Sequence, residues 1–81
     1  MADTLWTDDD PKEDGIYVVW LMADEGEGYD PAEWSEVDRW KNGQWEFYGS
    51  AIVERSIRSF SNFDEAEAAA KAAYLSRDRS F

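Results

Sequence analysis

The dipeptide Asn42-Gly43 places the strongest constraint on the fold of this 81-residue chain. Aromatic and β-branched residues lie on both sides of it, and Asn-Gly between two such runs is the preferred sequence for a two-residue type I′ hairpin turn. A two-residue turn also fixes the register of the strands that it joins. The sequence therefore predicts antiparallel strands over residues 34–41 and 44–48, with Trp40 opposite Trp45 and Lys41 opposite Gln44.

The predicted register sorts the hairpin side chains onto two faces, because successive residues of a strand point to opposite sides. One face is expected to carry aromatic rings together with two acids, and its members are Trp34, Glu36, Asp38, Trp40, Trp45 and Phe47. The other face is expected to carry an Arg39–Glu46 charge pair, with Val37 opposite Tyr48. Cross-strand aromatic pairs and opposite-charge pairs both stabilise a hairpin, so both faces favour this register.

Two further segments have strand-like sequence. Residues 16–22 are apolar on both alternating faces, which is typical of a central strand that is buried from both sides. Residues 51–60 predict another, less regular strand.

The C-terminal part of the chain is rich in alanine and predicts a helix over residues 65–76. Asp64 is the expected N-cap, and Glu67 completes a capping box. The packing stripe consists of Ala66, Ala69, Ala70, Ala73 and Tyr74. The expected fold is therefore α+β, an antiparallel sheet of three to four strands with one C-terminal helix packed on one face.

A chain of this length is expected to form a single domain over residues 1–81. Residues 1–10 are assigned to an N-terminal segment that is either flexible or docked, and residues 77–81 to a C-terminal tail. One helix covers only one face of a sheet, so the second face needs another cover. The candidates are the segment around Leu5 and Trp6, or another protein, with a homodimer through that face as one form of this hypothesis.

The charge of the chain is concentrated in its first half. Residues 1–38 contain 13 of the 19 acidic residues and one of the 8 basic residues, and the net charge is −11. Such a field repels nucleic acids and anionic membranes and attracts basic surfaces, so we expect neither direct nucleic-acid binding nor membrane binding. Two interpretations remain open, namely plain solubility and imitation of the phosphate backbone of DNA for a protein partner.

The residue types that carry catalysis are sparse, since the chain has no His and no Cys. Without a nucleophile–base–orienter set we expect no enzyme, no catalytic residue and no cofactor. The acids of the Gly-containing loop at 24–30 do not follow the EF-hand pattern, so no specific metal site is expected either.

Several motifs resemble small phage-encoded domains of unknown function. These motifs are Trp6, Pro11, the run Asp14-Gly-Ile-Tyr-Val-Val19 and the run Trp40-Lys-Asn-Gly-Gln-Trp45. The resemblance covers about half of the chain and ends after Tyr48, where such domains continue with a Trp-Pro-Leu-Pro-like strand and this chain continues towards a helix.

In size, acidity and lack of a catalytic set, the chain is similar to anti-CRISPR proteins, phage inhibitors of which several cover the basic DNA-recognising surfaces of their targets. This similarity implies a non-enzymatic inhibitor in the cytoplasm of a bacterial host. Its partner would be a basic nucleic-acid-binding protein or a CRISPR effector complex, whose access to DNA it blocks. The candidate contact residues are Asp24, Glu25, Glu27, Tyr29, Asp30, Glu33, Trp34, Glu36 and Asp38. The alternative is a structural or adaptor module, homodimeric in one form, that binds through its aromatic sheet face.

Overall fold

The protein is described by a computed structural model, which covers residues 6–23 and 32–76. Five strands and one helix follow each other along the chain. They are β1 (Trp6–Thr7), β2 (Gly15–Ala23), β3 (Ala32–Lys41), β4 (Gln44–Trp45), β5 (Ile52–Ser56) and α1 (Phe63–Ser76), with a 3₁₀ turn at Gly49–Ala51 before β5.

The strands form one antiparallel sheet in the order β1-β5-β2-β3-β4. The predicted α+β class with one C-terminal helix is confirmed, and the sheet has one strand more than the upper number expected. The additional strand is β1, in which Trp6 pairs with Ser56 and Thr7 with Arg55. Part of the segment 1–10 is therefore docked on the sheet, while the tail at 77–81 lies outside the described residues.

The central strand is β2, which pairs with β3 on one side and β5 on the other. Its apolar residues Val18, Val19, Trp20 and Leu21 are all fully buried. Val18 and Trp20 point to one face of the sheet and Val19 and Leu21 to the other, because side chains alternate along a strand. The prediction of a strand buried from both sides is confirmed.

The hairpin turn has the predicted chemistry. Asn42 and Gly43 both have positive φ angles, 56° and 80°, as a type I′ turn requires. Trp40 faces Trp45 with their ring centroids 5.0 Å apart, and a salt bridge of 2.9 Å joins Arg39 to Glu46. The predicted register and charge pair are confirmed.

The second strand of the hairpin is shorter than predicted. β4 ends at Trp45, and the predicted pairing of Val37 with Tyr48 is absent from the described strand pairs. The chain leaves the hairpin because the carboxylate of Asp38 accepts the backbone N–H groups of residues 46, 47 and 48. The N–H of Glu46 is shared with the carbonyl of Arg39, whereas those of Phe47 and Tyr48 donate to Asp38 instead of extending the strand.

Helix α1 covers the face of the sheet that carries Val18. Ala66 and Ala70 are buried there, and Phe60 completes the cluster. The predicted Ala stripe is the packing face, since alanine allows a helix axis to approach a sheet closely. The predicted N-cap was wrong by two residues: the side chain of Asn62, not that of Asp64, accepts the N–H of Glu65 at 2.8 Å.

On the opposite face of the sheet, Trp34, Trp45 and Ala51 pack on the buried cluster of Val19, Leu21 and Ile52. Residues 46–51 connect β4 to β5, and Phe47 and Tyr48 in this connection are exposed. Trp6 lies on the helix side, where its ring meets Trp20 edge to face at 6.0 Å. Trp6 therefore does not cover the second face, and the homodimer through that face stays a hypothesis.

Candidate functional site

The outer edge of β3 is the candidate site. β4 pairs with Trp40 and Lys41 alone, and no other described strand lies beside residues 32–39 on that side. Because Lys41 and Gln44 flank a two-residue turn, their backbone N–H and C=O groups point towards each other. The N–H and C=O groups of every second residue of a strand point to the same edge, so those of residues 35, 37 and 39 point to the same edge as those of Lys41. In agreement with this, the carbonyl of Arg39 accepts the N–H of Glu46 at 3.0 Å. The N–H and C=O groups of Ser35 and Val37 therefore point outward along what we call the open edge, residues 35–37.

On the helix side, a groove of about 380 Å³ runs beside the open edge. Its floor is formed by Ser35 and Val37, and its far wall by Ala70 and Tyr74 of α1. The hydroxyl of Ser35 donates to the carbonyl of Ala70 at 2.6 Å, which fixes the distance between the strand and the helix. The groove carries an acid and a base of α1 at its rim, Glu67 and Lys71.

Glu33 lies on the helix side of β3. Its carboxylate accepts the indole N–H of the buried Trp20 at 3.0 Å, so the position of this acid is set by a core residue. The side chain of Glu33 is half-buried.

Trp34 and Glu36 lie on the other side of β3. This side faces the segment 46–51 between β4 and β5, which we call the crossover. Trp34 is half-buried and packs on the cluster of Val19 and Leu21. Burial, followed by the charges of Glu36 and Asp38 and a side-chain hydrogen bond to Glu36, raises the pKa of Tyr48.

Asp38 does not belong to an exposed acidic surface. Its side chain is fully buried, at 0% exposure, and its two oxygens accept four backbone N–H groups. A partner cannot reach this carboxylate, so we leave Asp38 out of the proposed contact surface. The alternating pattern placed it correctly on the face with Trp34, but there its carboxylate is buried against the N–H groups of residues 46–48.

The remaining sequence-based candidates, Asp24, Glu25, Glu27, Tyr29 and Asp30, lie outside the described residues. Of the nine candidates, the structure thus brings Glu33, Trp34 and Glu36 to the open edge, and they flank it from both faces of the sheet.

Between two described residues there is one salt bridge, Arg39 with Glu46, and both partners belong to the hairpin. Within the ranges 6–23 and 32–76, the acids of residues 8–14 form no salt bridge with a cation of the second half of the chain. A negative field consequently extends outward from this part of the molecule.

Comparison with known proteins found no matching family model, no matching curated protein and no matching solved structure. In the described ranges, no helix is long and apolar enough to cross a membrane. The same ranges contain no group of three or more acidic side chains arranged to hold a metal ion.

Sequence reasoning missed the helix wall of the groove. Glu67 and Lys71 lie more than 30 positions from β3 and meet it only through the packing of α1 on the sheet. Their spacing of four residues does indicate a common helix face, but the sequence does not show that this face borders a strand edge.

Proposed function

We propose that the protein is a non-enzymatic inhibitor of the phage, anti-CRISPR-like type. Its acidic surface would bind a basic nucleic-acid-handling protein in the cytoplasm of a bacterial host and block access to DNA. The observation that supports this most directly is the net charge of −11 together with the acids of residues 8–14, which form no salt bridge with another described residue, because a large unpaired negative charge disfavours a compact fold unless something else selects for it. Lys- and Arg-lined clefts that grip DNA phosphates are the surfaces that this charge attracts most strongly.

The open edge suggests how such a partner is oriented. An extended segment of the partner can pair with the outward backbone groups of Ser35 and Val37 and so add a strand to the sheet. Because Glu33 and Glu36 flank the edge from opposite faces, successive basic residues of that segment would each meet a carboxylate. Trp34 supplies an apolar contact of the kind that anchors protein interfaces.

The alternative of an adaptor that works through its aromatic sheet face is less well supported. Trp34 and Trp45 are half-buried against the cluster of Val19 and Leu21, so part of the aromatic face is already used within the chain. Phe47 and Tyr48 are exposed and are the aromatic residues that remain for a contact with a partner or a second copy.

The proposal is tested by capture from bacterial lysate on the immobilised protein, with washes at about 50 mM and about 500 mM NaCl and identification by mass spectrometry. Electrostatic binding is screened at the higher salt, where the Debye length falls to a few ångströms. We expect DNA- or RNA-binding proteins to be captured and then released by salt. Capture that resists salt would instead favour the adaptor.

A matched pair of charge variants locates the contact surface. Glu25→Gln with Glu27→Gln removes two negative charges from the acidic segment, whereas Ala68→Lys with Leu75→Lys changes the net charge equally on exposed positions of α1. We expect the first pair of substitutions to slow association with a captured protein. The second pair is expected to leave the association rate closer to that of the unmodified chain. Equal effects of the two pairs would mean that total charge matters and the acidic segment does not.

A further inference from the structure

A second cavity lies at the other end of the sheet, between β5 and the segment that links β1 to β2. It has a volume of about 510 Å³ and is independent of the open edge of β3. Thr7, Tyr17 and Arg55 form one wall, on the face of the sheet opposite α1. Residues 9–13 form the other wall, and Ile57 adds apolar surface.

Arg55 is the unusual feature of this cavity. Its side chain is buried, at 7% exposure, and its Nε atom has no hydrogen-bond partner. No described carboxylate forms a salt bridge with it, and its guanidinium lies 5.7 Å from the ring centroid of Trp45. A buried cation without an anion is unfavourable, and buried charges in proteins are normally paired. A ligand that brings an anionic group into the cavity would supply the missing partner.

The opposite wall restricts what that ligand is. It contributes Asp9, Asp10 and Glu13, against a single cation, Lys12. The negative field reaches Tyr17, whose pKa is raised by burial and then by the charges of Glu13 and Asp14. A simple anion would be repelled by these carboxylates before it reached Arg55. A ligand that carries a cationic group beside its anionic group would be stabilised at both walls.

We propose that this cavity binds a small zwitterion that has a carboxylate and an ammonium group, of the α-amino acid class. The carboxylate pairs with the planar guanidinium of Arg55, whose fork of N–H donors matches two carboxylate oxygens. The ammonium group faces the carboxylates of Asp9, Asp10 or Glu13, and the ligand side chain contacts Ile57. This proposal does not depend on the proposed inhibitor function.

The test is a titration of the ¹⁵N-labelled protein with each of the standard amino acids at concentrations up to about 10 mM, which detects even weak binding. We expect at least one to give saturable shifts that are centred on the amides of Thr7, Arg55 and Ile57. For that amino acid, the matching acid without the amino group and the matching amine without the carboxylate serve as controls. For leucine these are 4-methylpentanoate and 3-methylbutylamine.

Both controls are expected to bind at least about tenfold more weakly, because each loses one charged contact. If the deaminated acid binds as well as the amino acid, the ammonium half of the proposal is wrong. If no amino acid shifts these amides, the proposal as a whole is overturned.

Substitution separates the role of Arg55 from general effects on the fold. Arg55→Met is expected to abolish the shifts and to raise the melting temperature, because it removes an unpaired buried charge. Arg58→Met, at an exposed arginine outside the cavity, is expected to retain binding. Should Arg55→Met not fold, Arg55→Lys keeps the charge without the planar fork and is expected to weaken binding at least about tenfold. Retained binding in either Arg55 variant would contradict the assignment.

Discussion

The carboxylate of Asp38 accepts the backbone N–H of Tyr48 at 2.8 Å, although ten residues separate them in the chain. The same side chain also accepts the N–H groups of Phe47 at 3.0 Å and Glu46 at 3.2 Å. These bonds direct the chain out of the hairpin and across the sheet. One buried acid thus holds the start of the segment that connects β4 to β5.

Replacement of Asp38 by alanine is expected to destabilise the protein by about 3 kcal/mol or more, because it leaves several N–H groups of the crossover without their charged acceptor. The free energy of unfolding, measured by urea denaturation, checks this. Asp8→Ala, which removes an exposed aspartate, is the control and is expected to change stability by about 0.5 kcal/mol or less. A loss of under about 1 kcal/mol for Asp38→Ala would show that the crossover is held by other contacts.

Gly43→Ala is expected to cost about 1 kcal/mol of unfolding free energy, because Gly43 has a φ angle of 80°. A Cβ atom at this position would have no atom within 4 Å, so the cost is conformational and not steric contact with other residues. Gly43→Asn is the matched control, since asparagine tolerates positive φ better than alanine does. Equal destabilisation by the two variants would argue against the conformational explanation.

The position of the helix N-cap is tested by Asn62→Ala and Asp64→Ala. Asn62 accepts the N–H of Glu65, so its loss is expected to cost about 1 kcal/mol. Asp64 lies within the first turn and interacts with the helix dipole alone, which predicts a smaller loss of about 0.3–0.5 kcal/mol. Thermal or urea unfolding of the two variants distinguishes them, and the reverse order would restore Asp64 as the cap.

Stability is expected to fall in alkaline solution. Burial and nearby carboxylates raise the pKa values of Tyr17 and Tyr48 above 10.0 in the folded state. Above that pH the unfolded chain releases phenolic protons that the folded chain still holds, so the unfolded state gains stability and ΔG of unfolding decreases. The contribution of the two tyrosines to the free energy of unfolding is fully present below about pH 10 and is lost as the pH rises through their pKa values in the folded state.

Urea denaturation at about pH 8 and about pH 11 measures this decrease, and ultraviolet absorbance of the folded protein follows tyrosinate formation. Tyr17→Phe and Tyr48→Phe are each expected to reduce the difference in stability between the two pH values. A difference that is unchanged in both variants would show that other groups cause the alkaline loss.

Several local features were predictable because they depend on neighbouring residues. The Asn42-Gly43 turn set the register of Trp40 with Trp45, and the run at 16–22 indicated a central strand. The helix was also predicted, but its start was wrong because Asn62 and Asp64 are both good N-caps. The structure has Asn62 as the cap, and the N–H of Ser61 donates to the carboxylate of Glu65 at 3.4 Å.

The candidate site was predicted less completely. The sequence indicated that Trp34 and Glu36 lie on one strand, and in the structure this strand, β3, begins earlier and includes Glu33. It did not indicate that this strand forms an open edge, because strand order depends on which segments pair across the whole chain. The sequence also did not indicate that Asp38 is buried, because its burial depends on residues 46–48, and Asp38 was therefore predicted to be a contact residue.

By itself the sequence determined the hairpin turn, the alternation along the strands, the helix and the excess of negative charge, all of which follow from residues that are adjacent or a few positions apart. Tertiary structure alone decided that Trp34, Trp45 and Ala51 pack over the second core cluster, that Asp38 is buried and that no described carboxylate forms a salt bridge with Arg55. The physical reason is that burial and pairing of a charge depend on contacts between distant segments. A carboxylate or guanidinium has the same local sequence signal whether it faces water or the interior.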